Sequence, residues 1–174
     1  AATLLLGSMA VILYPGGAFD EFDFWTGTFS LIVFALAEVL IFGWIFGIDR
    51  GWAEITKGAD LRLPTLYRLV IKYVTPLFIL LVLVGAMIQP SASWGEAFAQ
   101  LFGGQGWPFA PGSVIGKILH VGDKEGWFNA AGGVTPVFVK DLTRIVLLTV
   151  FASIAALVWK AFQGRNLASA GGEK

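Results

Sequence analysis

The longest apolar run in the chain, Phe24–Ile48, leaves few folds open, because Glu38 is its only ionisable side chain. As an α-helix with a rise of about 1.5 Å per residue, this run would be about 37 Å long. That length exceeds the roughly 30 Å of hydrocarbon in a bilayer. A helix that is apolar on every side is typical of a membrane span. The run therefore predicts a transmembrane helix.

Two further runs are apolar enough to cross a bilayer. Leu69–Ile88 carries Lys72 close to its start, and Leu142–Phe162 contains Arg144 and Lys160 near its ends. From these positions the long basic side chains can reach the lipid headgroups. Only 14% of all residues are charged and 56% are hydrophobic, whereas a soluble domain averages about 25% charged residues. These features predict an all-α integral membrane protein.

The opening residues 1–14 are apolar but too short to cross a membrane alone. They lack the basic segment with which a signal peptide begins. We expect Ala1–Tyr14 to be the end of a transmembrane helix that begins upstream.

Composition also removes several classes of function. The chain has no cysteine and a single histidine, His120, so neither a thiolate site nor a histidine cluster for a metal is expected. The net charge of zero gives no electrostatic footprint for nucleic acid. The composition is unlike that of a soluble enzyme, and we expect no catalytic residue and no resident cofactor.

Basic residues orient the predicted helices, because they accumulate in cytoplasmic loops. The turn Pro15–Asp23 has none and is predicted to lie outside. Basic residues cluster instead in the connection 49–68 and in the tail 163–174, which are predicted to lie inside: Arg50, Lys57, Arg62, Arg68, Arg165 and Lys174. The C-terminus is therefore predicted to be cytoplasmic.

The connection 89–141 must then lie outside, although it holds Lys117, Lys124 and Lys140. Loops of this length carry little topological weight. Within it, Ser93–Phe102 is predicted to form a short amphipathic helix. The connection 89–141 also holds Trp94, Trp107 and Trp127. Tryptophan is a residue type that is enriched at the membrane interface.

Glu38 lies in the middle of the first predicted span, where a charge facing lipid costs about 2.5–3.5 kcal/mol. Its side chain should therefore face protein or water. One interpretation is a relay for protons or ions, or a carboxylate that lines a pathway. The other, which we favour, is a neutral or hydrogen-bonded glutamate that fastens its helix to neighbouring helices.

Three carboxylates precede the same span, Asp20, Glu21 and Asp23, with no basic residue near them in sequence. In one interpretation Asp20 caps the following helix and the other two interact favourably with its dipole. In the other, a carboxylate at the outer mouth of the helix pairs with a cation on another helix. The residues alone favour neither interpretation.

Three motifs carry a resemblance to a known family: "DEFDFWTGT", "IFGWIFGIDRGWAEI" and "LYRLVIKYVTPLF". Together they resemble the tenth and eleventh transmembrane helices of the neurotransmitter:sodium symporter family, in particular its bacterial members. By order, Ala1–Tyr14 resembles the outer end of helix nine, and Leu142–Phe162 resembles helix twelve. The resemblance implies the inverted-repeat fold of that family and sodium-coupled transport of amino acids or related small amines.

The resemblance also implies roles for the turn Pro15–Asp23, which carries the three carboxylates and which we call the acidic turn. In the family, an acidic residue at the outer end of helix ten pairs with an arginine of helix one and forms the extracellular gate. Asp23 matches that position, with Asp20 and Phe19 lining the same vestibule. Glu21 matches no gate position, and we expect its replacement by glutamine to matter little.

The family places its sodium and substrate sites on other helices, so no residue here is assigned to either ligand. The expected partners are the lipid bilayer, sodium as the coupling ion, and a small amino-acid substrate bound through N-terminal helices. A homodimer is also implied, because helices nine and twelve form a dimer contact in some relatives. The expected location is the cell membrane, the inner membrane in a bacterium. The alternative is a small membrane scaffold or assembly protein, built from the same helices, that transports nothing.

Overall fold

The computed structural model describes residues 2–58 and 64–171, and the side chains of residues 3–58 and 64–163. Arg62 and Lys174, which entered the prediction of topology, lie outside the described residues, as does the side chain of Arg165. Contacts divide the chain into two compact units. One comprises Ala1–Phe24 and Glu125–Lys174, and the other comprises Trp25–Lys124.

The described residues form helices joined by turns, without a strand. The helices are α1 (Ala2–Ile12), α2 (Ala18–Thr56), α3 (Leu66–Ile88), α4 (Trp94–Phe102), α5 (Val114–Ile118) and α6 (Pro136–Gly171). Three of them, α2, α3 and α6, are long and apolar enough to cross a membrane. Each contains one of the three predicted runs and extends beyond it at one or both ends. The prediction of an all-α membrane protein is confirmed.

Helix α2 is not uniform along its length. Its turns are wider than those of an α-helix over Asp23–Phe29 and Ile41–Gly47. The Ser30 hydroxyl donates to the carbonyl oxygen of Trp25 at 2.6 Å and so satisfies an acceptor beside the first wide segment. Gly47 has φ 92° and ψ 127°, a backbone conformation that residues with a side chain rarely adopt. Wide turns and glycine together allow the helix to change direction within an apolar environment.

Helices α2 and α3 pack closely where a glycine permits it. A Cβ atom added at Gly43 would lie 3.6 Å from the Cα of Lys72, so the two backbones approach without an intervening side chain. The indole N–H of Trp44 donates to the carbonyl oxygen of Lys72 at 3.0 Å. Pro76 is buried at the start of the regular part of α3, directly after the wide turns Val70–Val74. The wider turn before this proline accommodates its missing N–H.

The connection after α3 is compact within its own unit. The backbone N–H groups of Ser91 and Ala110 donate to the carbonyl oxygens of Pro108 and Gln89, both at 2.8 Å. The indole N–H of Trp107 donates to the carbonyl oxygen of Ile88, also at 2.8 Å. The predicted amphipathic helix is confirmed as α4, and Ser93 and Glu96 form a reciprocal capping box at its start.

Helix α5 depends on a buried cap. Ser113 is fully buried, and its hydroxyl accepts from the backbone N–H of Gly116 at 2.9 Å and donates to the carbonyl oxygen of Ala110 at 2.8 Å. A Cβ atom at Gly116 would overlap this carbonyl oxygen. Only glycine therefore fits at position 116 without displacement of the turn.

We expect Gly116→Ala to destabilise this connection by about 1–3 kcal/mol, the usual cost of overpacking a closed site. Gly112→Ala is the matched control, because a Cβ atom at Gly112 meets nothing within 4 Å. Hydrogen exchange of residues 89–124 in the intact protein measures the difference. Equal protection in the two variants would contradict the structural account.

Candidate functional site

The acidic turn is positioned by the chain reversal before α2. A 3₁₀ turn, Tyr14–Gly16, is followed by Gly17 with φ 83°, and α2 begins at Ala18. Gly17 occupies the N-cap position and provides no capping side chain. Asp20 and Glu21 therefore lie within the first turn of the helix, and the interpretation of Asp20 as the cap is wrong. Their negative charges still interact favourably with the N-terminal dipole of α2.

The structure separates the three carboxylates into two kinds. Glu21 is 1% exposed, whereas Asp20 and Asp23 are both exposed. Through their side chains, Asp20 and Asp23 form no hydrogen bond or ion pair with the part of the chain that the structure describes. Two carboxylates at the start of a membrane-spanning helix thus stay available to a partner, while the third is occupied.

Phe19 is 52% exposed, and its ring lies 6.0 Å from the ring of Tyr14. It is four residues before Asp23, so these two lie on the same side of the helix, whereas Asp20 is about 100° away around the helix. The three residues expected to line the vestibule thus lie within the first turns of α2 because they are close in sequence.

The partner of Glu21 is Arg144 of α6, which is 123 residues away in sequence. The Nε–H of Arg144 donates to Oε2 of Glu21 at 2.8 Å, and the two side chains are 14% and 2% exposed. A Glu–Arg pair withdrawn from solvent is costly to break, because one charge then remains buried without compensation. The sequence placed Arg144 at a membrane boundary, reaching towards headgroups. The structure instead directs it inward to the acidic turn.

Arg144 also has a second acidic partner. Its Nη1 lies 3.1 Å from Oδ1 of Asp141, one turn earlier in α6. The other oxygen of Asp141, Oδ2, accepts from the indole N–H of Trp127 at 2.9 Å. A chain of four side chains therefore runs from the first turn of α2 through α6 to the segment before α6. We call these four residues, Glu21, Arg144, Asp141 and Trp127, the buried ion chain after the buried Glu21–Arg144 pair, although Trp127 at its far end is 49% exposed.

Close packing holds this chain of contacts in place. Gly16 lies against Val139 of α6, and a Cβ atom at Gly16 would approach Cγ2 of Val139 to 2.7 Å. Trp127 packs edge to face on Phe138, with ring centroids 5.7 Å apart. Ala18 is fully buried on the same turn as Glu21. The turn that carries Asp20 and Asp23 is thus fixed on α6 by apolar contacts and by charge.

Glu38 is placed differently. It lies in the regular part of α2 between the two wide segments, and its side chain is exposed. With the residues described here, Glu38 forms no hydrogen bond or ion pair. The favoured interpretation, a glutamate that fastens its helix to neighbours, therefore finds no partner among α1 to α6.

Local sequence gave no signal for the buried ion chain. Arg144 stands at the start of an apolar run, where a snorkelling role is the usual reading, and Glu21 stands between two other acids. The helical period shows only that Glu21 lies on a different side of the helix from the one shared by Asp20 and Asp23. That period shows which face a residue occupies, but it does not identify the partner.

One comparison with known proteins bears on these features. The model of the sodium:neurotransmitter symporter family matches residues 2–121, which is more than half of the chain and includes α1 to α5 and the acidic turn. No curated protein matches the chain.

The burial of Glu21 replaces the expectation that Glu21→Gln matters little: we now expect it to lower stability by about 3 kcal/mol, near the lower end of the range for breaking a buried pair, because Asp141 still compensates Arg144. Asp20→Asn, in the same turn but exposed, is the matched control and should change stability by less than about 0.5 kcal/mol. Thermal unfolding of the purified intact protein measures both.

The pair itself is tested by a double-mutant cycle. The loss in Glu21→Gln/Arg144→Gln should be clearly smaller than the sum of the two single losses, because the second change removes the charge that the first leaves unpaired. Additive losses, or a loss for Glu21→Gln no larger than for Asp20→Asn, would contradict a stabilising pair.

Proposed function

This chain belongs to the sodium:neurotransmitter symporter family, and from that premise we propose that it is the C-terminal part of a symporter that carries amino acids or related small amines. The family is one of sodium-coupled transporters, and the chain is a multi-pass membrane protein. Within the transporter, the chain forms the wall of the extracellular vestibule and one side of its gate. The observation that carries this proposal is the separation of the acidic turn into one buried carboxylate and two exposed ones.

Asp23 is the proposed gate residue. Its carboxylate is exposed and has no partner within the described ranges 2–58 and 64–171, as a gate requires when its cation lies on another helix. A pair formed in the closed state and separated in the open state favours closure only by the difference in its interaction between the two. Asp20 adds negative potential beside it, and Phe19 presents an apolar surface at the same level.

The buried ion chain supports this role by fixing the turn. A charge pair acts as a gate only if its carboxylate returns to the same position in every cycle. Glu21 and Arg144 attach the first turn of α2 to α6 just where Asp20 and Asp23 project. The negative charge of Glu21 is compensated by Arg144, so it does not compete with Asp23 for a cation.

The remaining parts of the proposal concern ligands and location. Sodium is the coupling ion, and other helices of the family fold hold it together with the substrate. The chain itself performs no covalent chemistry and needs no resident cofactor. The protein lies in the cell membrane with α2 running from outside to inside and the C-terminus in the cytoplasm. A contact through α1 and α6 joins two copies.

Topology is tested with single cysteines at Lys57 and Gln105 in an otherwise cysteine-free background. Both residues are exposed and avoid the neighbouring glycines 58 and 104, whose positive φ a cysteine would strain. An impermeant maleimide added to intact cells should label the cysteine at 105 and should reach the one at 57 only after permeabilisation. Labelling of both in intact cells would contradict the orientation.

The gate is tested by Asp23→Asn in the intact transporter. Exposed charge pairs contribute about 0–1 kcal/mol to stability, so the variant should fold. Loss of the pair should nevertheless shift the balance between open and closed outer states, and a shift of about 1.4 kcal/mol is tenfold. We expect sodium-dependent uptake per folded molecule to change by about threefold to tenfold.

Glu125→Gln is the matched control, because Glu125 is another exposed carboxylate in the same unit as Asp23 and lies outside the acidic turn. It should transport like the parent. If Asp23→Asn also transports like the parent while Glu21→Gln is unstable, the acidic turn has a structural role only.

A further inference from the structure

A groove of about 250 Å³ lies between α2 and α3, within one unit of the chain. It is apolar along most of its length and has a lysine at one end, and its lining includes Leu36, Leu40, Trp44, Lys72, Leu77 and Leu80. On each helix these residues span eight positions, or about 12 Å at the rise of an α-helix. The groove therefore follows the helix axes.

Lys72 gives one end of the groove a positive charge. Its Nζ lies 5.8 Å from the ring centroid of Trp44 and 5.4 Å from that of Tyr73. The indole of Trp44 is itself held by its hydrogen bond to the carbonyl oxygen of Lys72. Arg68, one turn earlier, is paired with Asp49. Lys72 forms no salt bridge with any residue the structure describes, so its charge is compensated only by the faces of two aromatic rings.

The position of Glu38 indicates which way the groove faces. Leu36 and Leu40 are each two residues from Glu38, and two residues turn an α-helix by about 200°, which places them roughly 160° from the carboxylate. A glutamate in the middle of a span faces protein or water, because exposure to lipid is costly. The side of α2 that lines the groove is therefore turned away from the side that must face protein or water.

The level of Lys72 suits a headgroup. It lies six residues, or about 9 Å, from the first residue of α3, Leu66. A lysine side chain at this depth extends back along the helix to the headgroup region, and Trp44 and Tyr73 are of the amphipathic type found there. In the proposed orientation this end of α3 faces the cytoplasm, where anionic lipids attract basic residues.

We propose that this groove is a binding site for an anionic phospholipid of the inner leaflet. One acyl chain lies between Leu36, Leu40 and Leu77, and the phosphate accepts hydrogen bonds from the ammonium group of Lys72. A lipid with net negative charge is favoured over a zwitterionic one, since the latter carries its own cation next to the phosphate. The inference needs the membrane orientation but not the gate at Asp23.

The experiment counts lipids retained by the purified intact transporter in native mass spectrometry, with phosphatidylglycerol and phosphatidylcholine as the probes. Lys72→Gln should weaken retention of phosphatidylglycerol about fivefold, the effect of one basic residue near a phosphate, and leave phosphatidylcholine unchanged. Lys72→Arg should keep the preference. Lys57→Gln, an equal charge change at the exposed end of α2, is the matched control and should change retention less than twofold.

The acyl chain is tested separately with Leu77→Trp, which fills the groove and keeps Lys72. Both lipids should then be retained less, by about fivefold or more. The proposal fails if Lys72→Gln and Lys57→Gln have equal effects, if Leu77→Trp leaves retention unchanged, or if the parent retains the two lipids equally. If Lys72→Gln does not fold, Leu77→Trp and Lys72→Arg decide between these outcomes. Normal uptake by Asp23→Asn would overturn the gate and leave this inference intact.

Discussion

Hydrocarbon offers no hydrogen-bond partner to a polar group, and the form of every long helix in this chain follows from that fact. At two of the three wide segments that the structure describes, a side chain satisfies a backbone carbonyl. The Ser30 hydroxyl donates to the carbonyl of Trp25 beside one wide segment, and the Trp44 indole donates to the carbonyl of Lys72. In α6 the hydroxyls of Thr143, Thr149 and Ser153 donate to carbonyls four residues earlier. The wide turns are therefore tolerated without leaving donors or acceptors unsatisfied at these positions.

The same constraint assigns different roles to carboxylates that are alike in chemistry. Glu21 is buried and is therefore paired with Arg144. Asp20 and Asp23 lie about one turn apart at the start of the same helix and remain exposed. On our proposal they act at an outer gate. Glu38 has no partner among the described helices, and its position in the span requires that it faces protein or water. What each carboxylate does is decided by the side of the helix on which it lies.

The buried ion chain also relates regions of the chain that seem unconnected in sequence. Through Arg144 and Asp141, the first turn of α2 is attached to α6 and to Trp127 in the segment before it. Gly16 permits the turn to approach Val139, so charge and close packing act at the same place. Changes in the last helix are thus expected to reach the acidic turn, although they touch no proposed ligand.

The sequence by itself determined the class of fold, because 20 or more consecutive apolar residues leave a helix across a membrane as the only way to satisfy the backbone. It also determined the family, which the match over residues 2–121 confirms, and it located α4 through the Ser93–Glu96 capping pattern. Local rules of this kind act over a few residues and can be read directly. The pairing of Glu21 with Arg144 spans 123 residues, and a period of 3.6 tells which face a side chain occupies without telling what covers that face. Only the tertiary structure decided that Glu21 is buried while Asp23 is exposed, because this depends on how closely α6 approaches a turn in which two glycines leave room for it.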